Sequence, residues 1–347
     1  MDKIIFFTAL VLFPFGQLIK IGIFNLFDAV ILLLAIITFF KKPKYPEWYR
    51  YFIYFILACV FGLILNYSLL TLNSVLYLIR LVSYSFVAVY ISNYFRNLKS
   101  LILYLISIAF ASAIFGWVQY IFWPDLTSLK YLGWDDHLLR MVGTFLDPTY
   151  LGLILVLGVV LVAQLNLKLI LYFLLSSLAF TYSRSSYLTV SLFLIYKKKF
   201  LPLIIFILII LLLPKNIGEG TNLTRTVSGN NKLINYHETW QIFKKSPIVG
   251  IGFNNMCTAR QLYLNDLNID SHSCSGSDSS ILFLLATTGI VGLILFLNFV
   301  LHMPKLLILH YSFIIVLIHS LFANSLFYPQ IMFWMFALLG LGSKSNS

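Results

Sequence analysis

The sequence predicts an all-α integral membrane protein with about twelve transmembrane helices and one large extracytoplasmic loop before the last three spans. Three observations carry this. Hydrophobic residues fill 60% of the 347 positions and charged ones 10%, with a mean hydropathy of +0.92. Apolar runs near bilayer-spanning length recur along the whole chain, and the basic residues alternate between its connections. Such a composition argues against a soluble fold.

The apolar runs set helices near residues 4–19, 23–40, 51–66, 70–94, 100–122, 146–164, 168–182, 185–196, 200–214, 280–300, 304–321 and 329–342. Residues 1–15 pass from Lys3 into an apolar segment with no small-residue cleavage site, so the first span is expected to be retained. If twelve spans alternate, Lys3, the Lys41, Lys42, Lys44 and Arg50 loop, Arg96, Lys99, Lys168, Lys197, Lys198, Lys199, Lys305 and Lys344 share one side. The positive-inside rule makes that side, with both termini, cytoplasmic. The opposite short connections carry only Lys20, Lys130, Arg140 and Arg184. A net charge of +12 then reflects sidedness and attraction to anionic lipid headgroups, and gives no reason to expect nucleic acid.

The whole of 1–347 reads as a single polytopic membrane domain with two long external connections. Residues 123–145 read "WPDLTSLKYLGWDDHLLRMVGTF", and residues 215–279 interrupt the membrane pattern altogether. The larger loop is expected to be ordered and to contribute to an active site, because "INYHETWQIFKKSPIVGIGF" sets Ile234, Trp240, Ile242 and Phe243 at helical spacing before a Pro and Gly stop. Cys257 and Cys274 lie in this loop and leave two readings, a disulfide in an oxidising compartment or two free thiols. A zinc set of Cys257, His272, Cys274 and Asp278 ranks below both, since no C-x-x-C spacing supports it.

Charge in this setting points to chemistry. Arg80 lies inside the fourth run, with Tyr77 and Tyr84 on its helical face; it is either a substrate contact or one half of an intramembrane pair with Asp28. "TYSRSSYLTV" places Arg184 in the short break between two apolar runs. Arg140 lies on the same external side, and Arg225 and Lys232 follow in the large loop. Each alone reads as an interfacial charge. Together they suit an anionic substrate, because guanidinium forks match phosphate oxygens in bidentate geometry.

"FPFGQLIKIGIFNLFDAVILLL", "WVQYIFWPD", "RMVGTFLDPTYLGLIL", "TYSRSSYL", "KKSPIVGIGFNNM" and "SSILFLLATTGIVGLILF" resemble, in this order, the successive blocks of the O-antigen ligase and O-antigen polymerase superfamily. The resemblance implies an inverting glycosyltransferase of the bacterial cytoplasmic membrane, working at its outer face without metal, cofactor or nucleotide sugar. Its donor is a glycan on a polyprenyl diphosphate carrier, and its acceptor another glycan or a lipid-linked sugar. Arg140 in "RMVGTF" and Arg184 in "SRSS" match blocks whose arginines hold the diphosphate, with Arg225 and Lys232 as further candidates. Lys232 keeps the charge of the family's arginine but loses the fork.

Where the family commonly carries a His-Asn pair before "GIVGL", this chain has Asp278 and Ser279. Asp278 is therefore the expected base, with His272 nearby in sequence, and the departure tilts the reading from ligase toward polymerase. In "GSDSS", Asp278 also suits a helix N-cap. A polytopic transporter or flippase of lipid-linked glycans is the other class open to such a chain. Turnover by purified protein without a gradient separates the two.

Overall fold

The computed structural model describes residues 2–21, 24–95, 97–132, 134–215, 217–266, 274 and 276–345. Arg96 and His272 lie outside the described residues, and with them the expected role of His272 at the site. Fourteen α-helices are described: α1 (Asp2–Leu12), α2 (Leu26–Phe40), α3 (Trp48–Leu65), α4 (Leu72–Tyr94), α5 (Leu98–Phe122), α6 (Pro148–Gln164), α7 (Lys168–Ala179), α8 (Arg184–Tyr196), α9 (Phe200–Leu212), α10 (Val227–Lys245), α11 (Met256–Leu264), α12 (Ser280–Leu301), α13 (Leu307–His319) and α14 (Pro329–Ser345).

Each of the twelve expected apolar segments contains a helix, and α10 is the amphipathic pattern of the large loop. The short α11 was not anticipated. Four helices, α3, α4, α5 and α12, are long and apolar enough to cross a membrane; the other apolar helices are shorter. The first expected segment is cut at Leu12, because Pro14 has no N–H to donate and Gly16 adopts φ 57°. Lys20–Ile21 then pairs antiparallel with Phe24–Asn25, a two-residue ladder that apolar periodicity gave no sign of.

The chain divides into two compact units. The first comprises Met1–Leu33, Arg96–Thr226 and Leu307–His319. Its centre is α6, buried from Leu151 to Ala163 and packed by α5, α7, α8 and α13; a helix apolar on all sides belongs in such a place. Asp147 opens it by accepting from Thr149 N–H at 2.6 Å, with Pro148 in the first helical position. A methyl on Gly152 would lie 2.5 Å from Ser186 Oγ, so the glycine is what lets α8 approach α6. Two distant sequence blocks also meet here. Gln17 N–H donates to Thr144 O at 2.9 Å, and the Thr144 hydroxyl donates to Pro14 O at 2.5 Å.

The second unit comprises Leu34–Phe95, Val227–Leu306 and Ser320–Ser347. It is built on α3 against α12 and α4 against α14. Within α12, Gly289 has φ 66° and ψ −171°, which breaks the helical ladder. The backbone groups this frees are taken by the segment after α10: Ile290 N–H donates to Pro247 O at 2.9 Å and Val291 N–H to Ile248 O at 3.2 Å. Ile251 N–H donates to Ala286 O at 3.0 Å. The "SPIVGIG" and "TTGIVGL" blocks are thus one interlocked structure, and the backbone exchange is why both need glycine.

The large loop is ordered, at least where described. Arg260 of α11 pairs with Glu238 and Asp266, each at 2.9 Å, and Cys257 is joined to Cys274 by a disulfide. The bridge decides between the two cysteine readings and removes the thiolates a zinc set would need. Replacing both cysteines with serine is expected to cost roughly 3 kcal/mol, since the bridge closes a loop of sequence separation 17. Amide exchange in α11 should then accelerate while α12 keeps its protection. Unchanged exchange in α11 would show the bridge to be energetically idle.

Candidate functional site

The first unit gathers three of the expected arginines on one short run of backbone. After α7 ends, Tyr182 takes φ 51°, a left-handed conformation unusual for an aromatic residue, and α8 restarts at Arg184. Leu139, also left-handed at φ 52°, turns the chain into Arg140. The loop behind it is clamped by Gln119 of the "WVQYIFWPD" block, whose Oε1 accepts from Val142 N–H at 2.9 Å and Gly143 N–H at 3.1 Å.

Arg140 is 8% exposed, and its Nε donates to Thr181 O at 3.2 Å. Arg225 Nη1 donates to Gly220 O at 2.9 Å and Asn222 O at 3.0 Å, while its Nη2 reaches Tyr182 O at 3.3 Å. The exposed Arg184 donates from Nη1 to Arg225 O at 2.9 Å. A methyl on Gly220 would lie 2.5 Å from Arg140 Cδ, so the loop after α9 closes directly over that side chain. Each guanidinium is held by carbonyls. Among the described residues Arg140 has no carboxylate within ion-pairing distance.

The charges feel one another. Burial pushes Arg140 down to about 10, and the Arg225 charge adds to the effect. Burial also lowers Arg225, with Arg184 contributing. Cations crowded in this way remain charged at neutral pH and are relieved by an anion.

Two histidines of this unit escaped the sequence reading. His137 is 5% exposed, and neither ring nitrogen has a hydrogen-bond partner among the described residues. Burial first, and the Arg140 charge second, hold it below its ordinary range, so it is neutral at pH 7. His319, fully buried at the end of α13, faces the serines of "SRSS": its Nε2 lies 3.0 Å from Ser185 Oγ and 3.1 Å from Ser186 Oγ. Neither histidine carries a spacing signal that would have flagged it.

The remaining candidates belong to the second unit. Arg80 is half-buried on α4, its guanidinium 4.5 Å from the Tyr77 ring centroid, which realises half of the expected aromatic face. Asp278 lies just before α12, half-buried. The capping role open to it is taken by Ser279, whose side chain accepts from Leu282 N–H at 3.5 Å. The backbone around Asp278 is instead fixed by Asn235 of α10, whose Oδ1 accepts from Asp278 N–H at 2.8 Å and from the Ser277 hydroxyl at 3.3 Å. Tyr236, next along α10, is pushed up to about 12 by burial and by the Asp278 charge, and donates to Leu321 O at 2.6 Å. Lys232, one turn earlier, donates from Nζ to Phe322 O. One face of α10 therefore holds both the Asp278 segment and the chain entering α14.

Residues 169–297 match the family model described as O-antigen ligase. Over this stretch the chain is similar to the O-antigen ligase family. The match runs from α7 through most of α12, so it contains Arg184, Arg225, Lys232 and Asp278, and the interlock of Pro247, Ile248 and Ile251 with the Gly289 break falls inside it. The match bears out the resemblance read from the ordered sequence blocks. No curated protein matches the chain.

Proposed function

We propose that the chain is an inverting membrane glycosyltransferase that moves a glycan from a polyprenyl (undecaprenyl) diphosphate carrier to an acceptor sugar hydroxyl, in the assembly of O-antigen or another surface polysaccharide. The observation that carries this reading is Arg140: a buried guanidinium with no described carboxylate partner, bonded to Thr181 O beside Arg225, which reaches Tyr182 O, and Arg184, which reaches Arg225 O. A buried cation without an ion-pair partner is costly to fold, and a diphosphate supplies the missing charge with fork-matching oxygens.

In the reaction the acceptor oxygen attacks the anomeric carbon and the bond from that carbon to the diphosphate breaks. The electron pair leaves on the diphosphate, and the hydroxyl proton passes to a carboxylate. Arg140, Arg184 and Arg225 stabilise the leaving charge, the part a metal plays in many transferases. Asp278 is the base, held in place through Asn235 while Ser279 does the capping. The reading puts the chemistry at the outer face of the bacterial cytoplasmic membrane with both termini inside. It favours a carrier-linked glycan as acceptor, and thus a polymerase, on the strength of Asp278.

The test is glycan transfer and donor binding by detergent-extracted protein. Arg184→Lys should lower transfer and Arg184→Ala lower it further, on the order of 100-fold, with the loss persisting at saturating donor. Asp278→Asn should remove transfer and leave donor binding. Full transfer by folded Arg184→Ala would reduce that arginine to an interfacial anchor.

A further inference from the structure

The hydroxyls of "SRSS" form a closed ring with His319. Besides the two His319 contacts, Ser183 Oγ lies 2.9 Å from Ser186 Oγ and 3.3 Å from Ser185 Oγ, so four polar atoms make four contacts in a circle. All of them belong to the first unit, with Ser185 following Arg184 in sequence.

A ring nitrogen is a donor or an acceptor, never both. If Nε2 were the acceptor, its single lone pair would take one proton, and the other serine oxygen, at nearly the same distance, would face it lone pair to lone pair. The near-equal 3.0 and 3.1 Å contacts instead suit an Nε2–H shared by both serine oxygens. Protons can then be counted. The nitrogen supplies its own two contacts, two hydroxyl protons satisfy the two contacts of Ser183, and the third hydroxyl proton is left over. Ser186 is fully buried and Ser183 only 3% exposed, with no further acceptor described for either hydroxyl, whereas Ser185 is half-exposed. The surplus proton therefore belongs to Ser185 and points away from the ring. It does so at the first turn of α8, whose amides receive no side-chain cap from Ser183.

We propose that Ser185 is a further contact for the donor diphosphate, giving its hydroxyl proton to a phosphate oxygen, and that His319 is the positioning residue that fixes this direction by donating Nε2–H to Ser185 Oγ. The assignment rests on the reading of the arginines as the diphosphate site. It adds a directional neutral donor to their charge, and it gives a buried histidine far along the sequence a part in the reaction without contact to substrate.

The experiment measures transfer kinetics, binding of undecaprenyl diphosphate and competition by inorganic pyrophosphate, for Ser185→Ala, His319→Leu and His319→Gln beside Arg184→Ala. Ser185→Ala should lower kcat about tenfold or more, as expected for a lost hydrogen bond to a charged group, and should weaken both carrier and pyrophosphate binding. His319→Leu should reproduce that loss. His319→Gln should recover a substantial part, because its amide N–H reaches toward the same oxygen. Where His319→Leu fails to fold, Ser185→Ala decides alone. Wild-type kcat in Ser185→Ala, with Arg184→Ala impaired, overturns the Ser185 assignment and leaves the arginine site standing. Equal kinetics for His319→Gln and His319→Leu overturns the positioning role. If carrier weakens but pyrophosphate does not, Ser185 contacts the lipid or glycan, and the diphosphate assignment is wrong. Insensitivity of every variant, Arg184→Ala included, would instead point to failure of the function itself.

Discussion

Gly289→Ala is expected to abolish recovery of folded protein. The residue combines φ 66° with ψ −171°, a region essentially closed to residues with a side chain. A methyl there would lie 2.2 Å from Ile248 O and 2.4 Å from Ile248 C. Those atoms are backbone, so no rotamer change relieves the overlap, and moving them breaks the Ile290, Val291 and Ile251 hydrogen bonds together. Conformational strain, overlap and lost bonds sum to roughly 4 kcal/mol or more, in the range reserved for special backbone positions. Gly229→Ala is the control. Gly229 lies within α10 with nothing within 4 Å of a added methyl, and its replacement should be neutral or stabilising by up to about 1 kcal/mol. Monodisperse yield and thermal midpoint in detergent check both. A folded, wild-type-like Gly289→Ala protein would refute the interlock.

The Gly289 interlock shows what the sequence made legible and what it did not. Hydropathy located every apolar helix, because burial in lipid or core demands apolar side chains wherever the chain runs. It misjudged the first segment, where Pro14 and Gly16 override an otherwise apolar run. The glycines of "SPIVGIG" and "TTGIVGL" were visible as blocks, but their mutual contact was not, since backbone exchange between segments some forty residues apart leaves no periodicity. The arginines were legible as a set because charge is costly among apolar runs. The approach of Arg140 to Thr181 O and of Arg225 to Tyr182 O and Gly220 O depended on left-handed turns at Leu139 and Tyr182 that neither residue type announces. His319 reaches Ser185 across a sequence separation of 134. Only the fold brings that pair together.

Arg140→Met is expected to separate activity from stability. The substitution keeps an unbranched apolar stem in a buried slot and removes the charge. Against it stand the Nε bond to Thr181 O, worth about 1 kcal/mol, and the weaker attraction of the Asp147 and Asp135 charges. In its favour stand the desolvation of a buried guanidinium and its repulsion from Arg225, the two effects that push Arg140 down to about 10. Replacing buried charge by a well-packed apolar residue is commonly neutral or stabilising by about 1–4 kcal/mol, so the thermal midpoint should hold or rise. Transfer should nonetheless fall on the order of 100-fold or more at saturating donor, because a group aimed at the leaving charge acts in the transition state. Arg140→Lys should fall between: it retains charge but offers neither the fork nor an Nε for Thr181. Thermal scans and transfer rates on the same preparations decide the matter. A Met variant that transfers normally would make Arg140 a packing residue, and one that fails to fold would make its charge structural. An inactive variant at least as stable as the parent would mean that the chain carries a buried cation with no described ion-pair partner at the expense of its own stability, for the sake of the anion it binds.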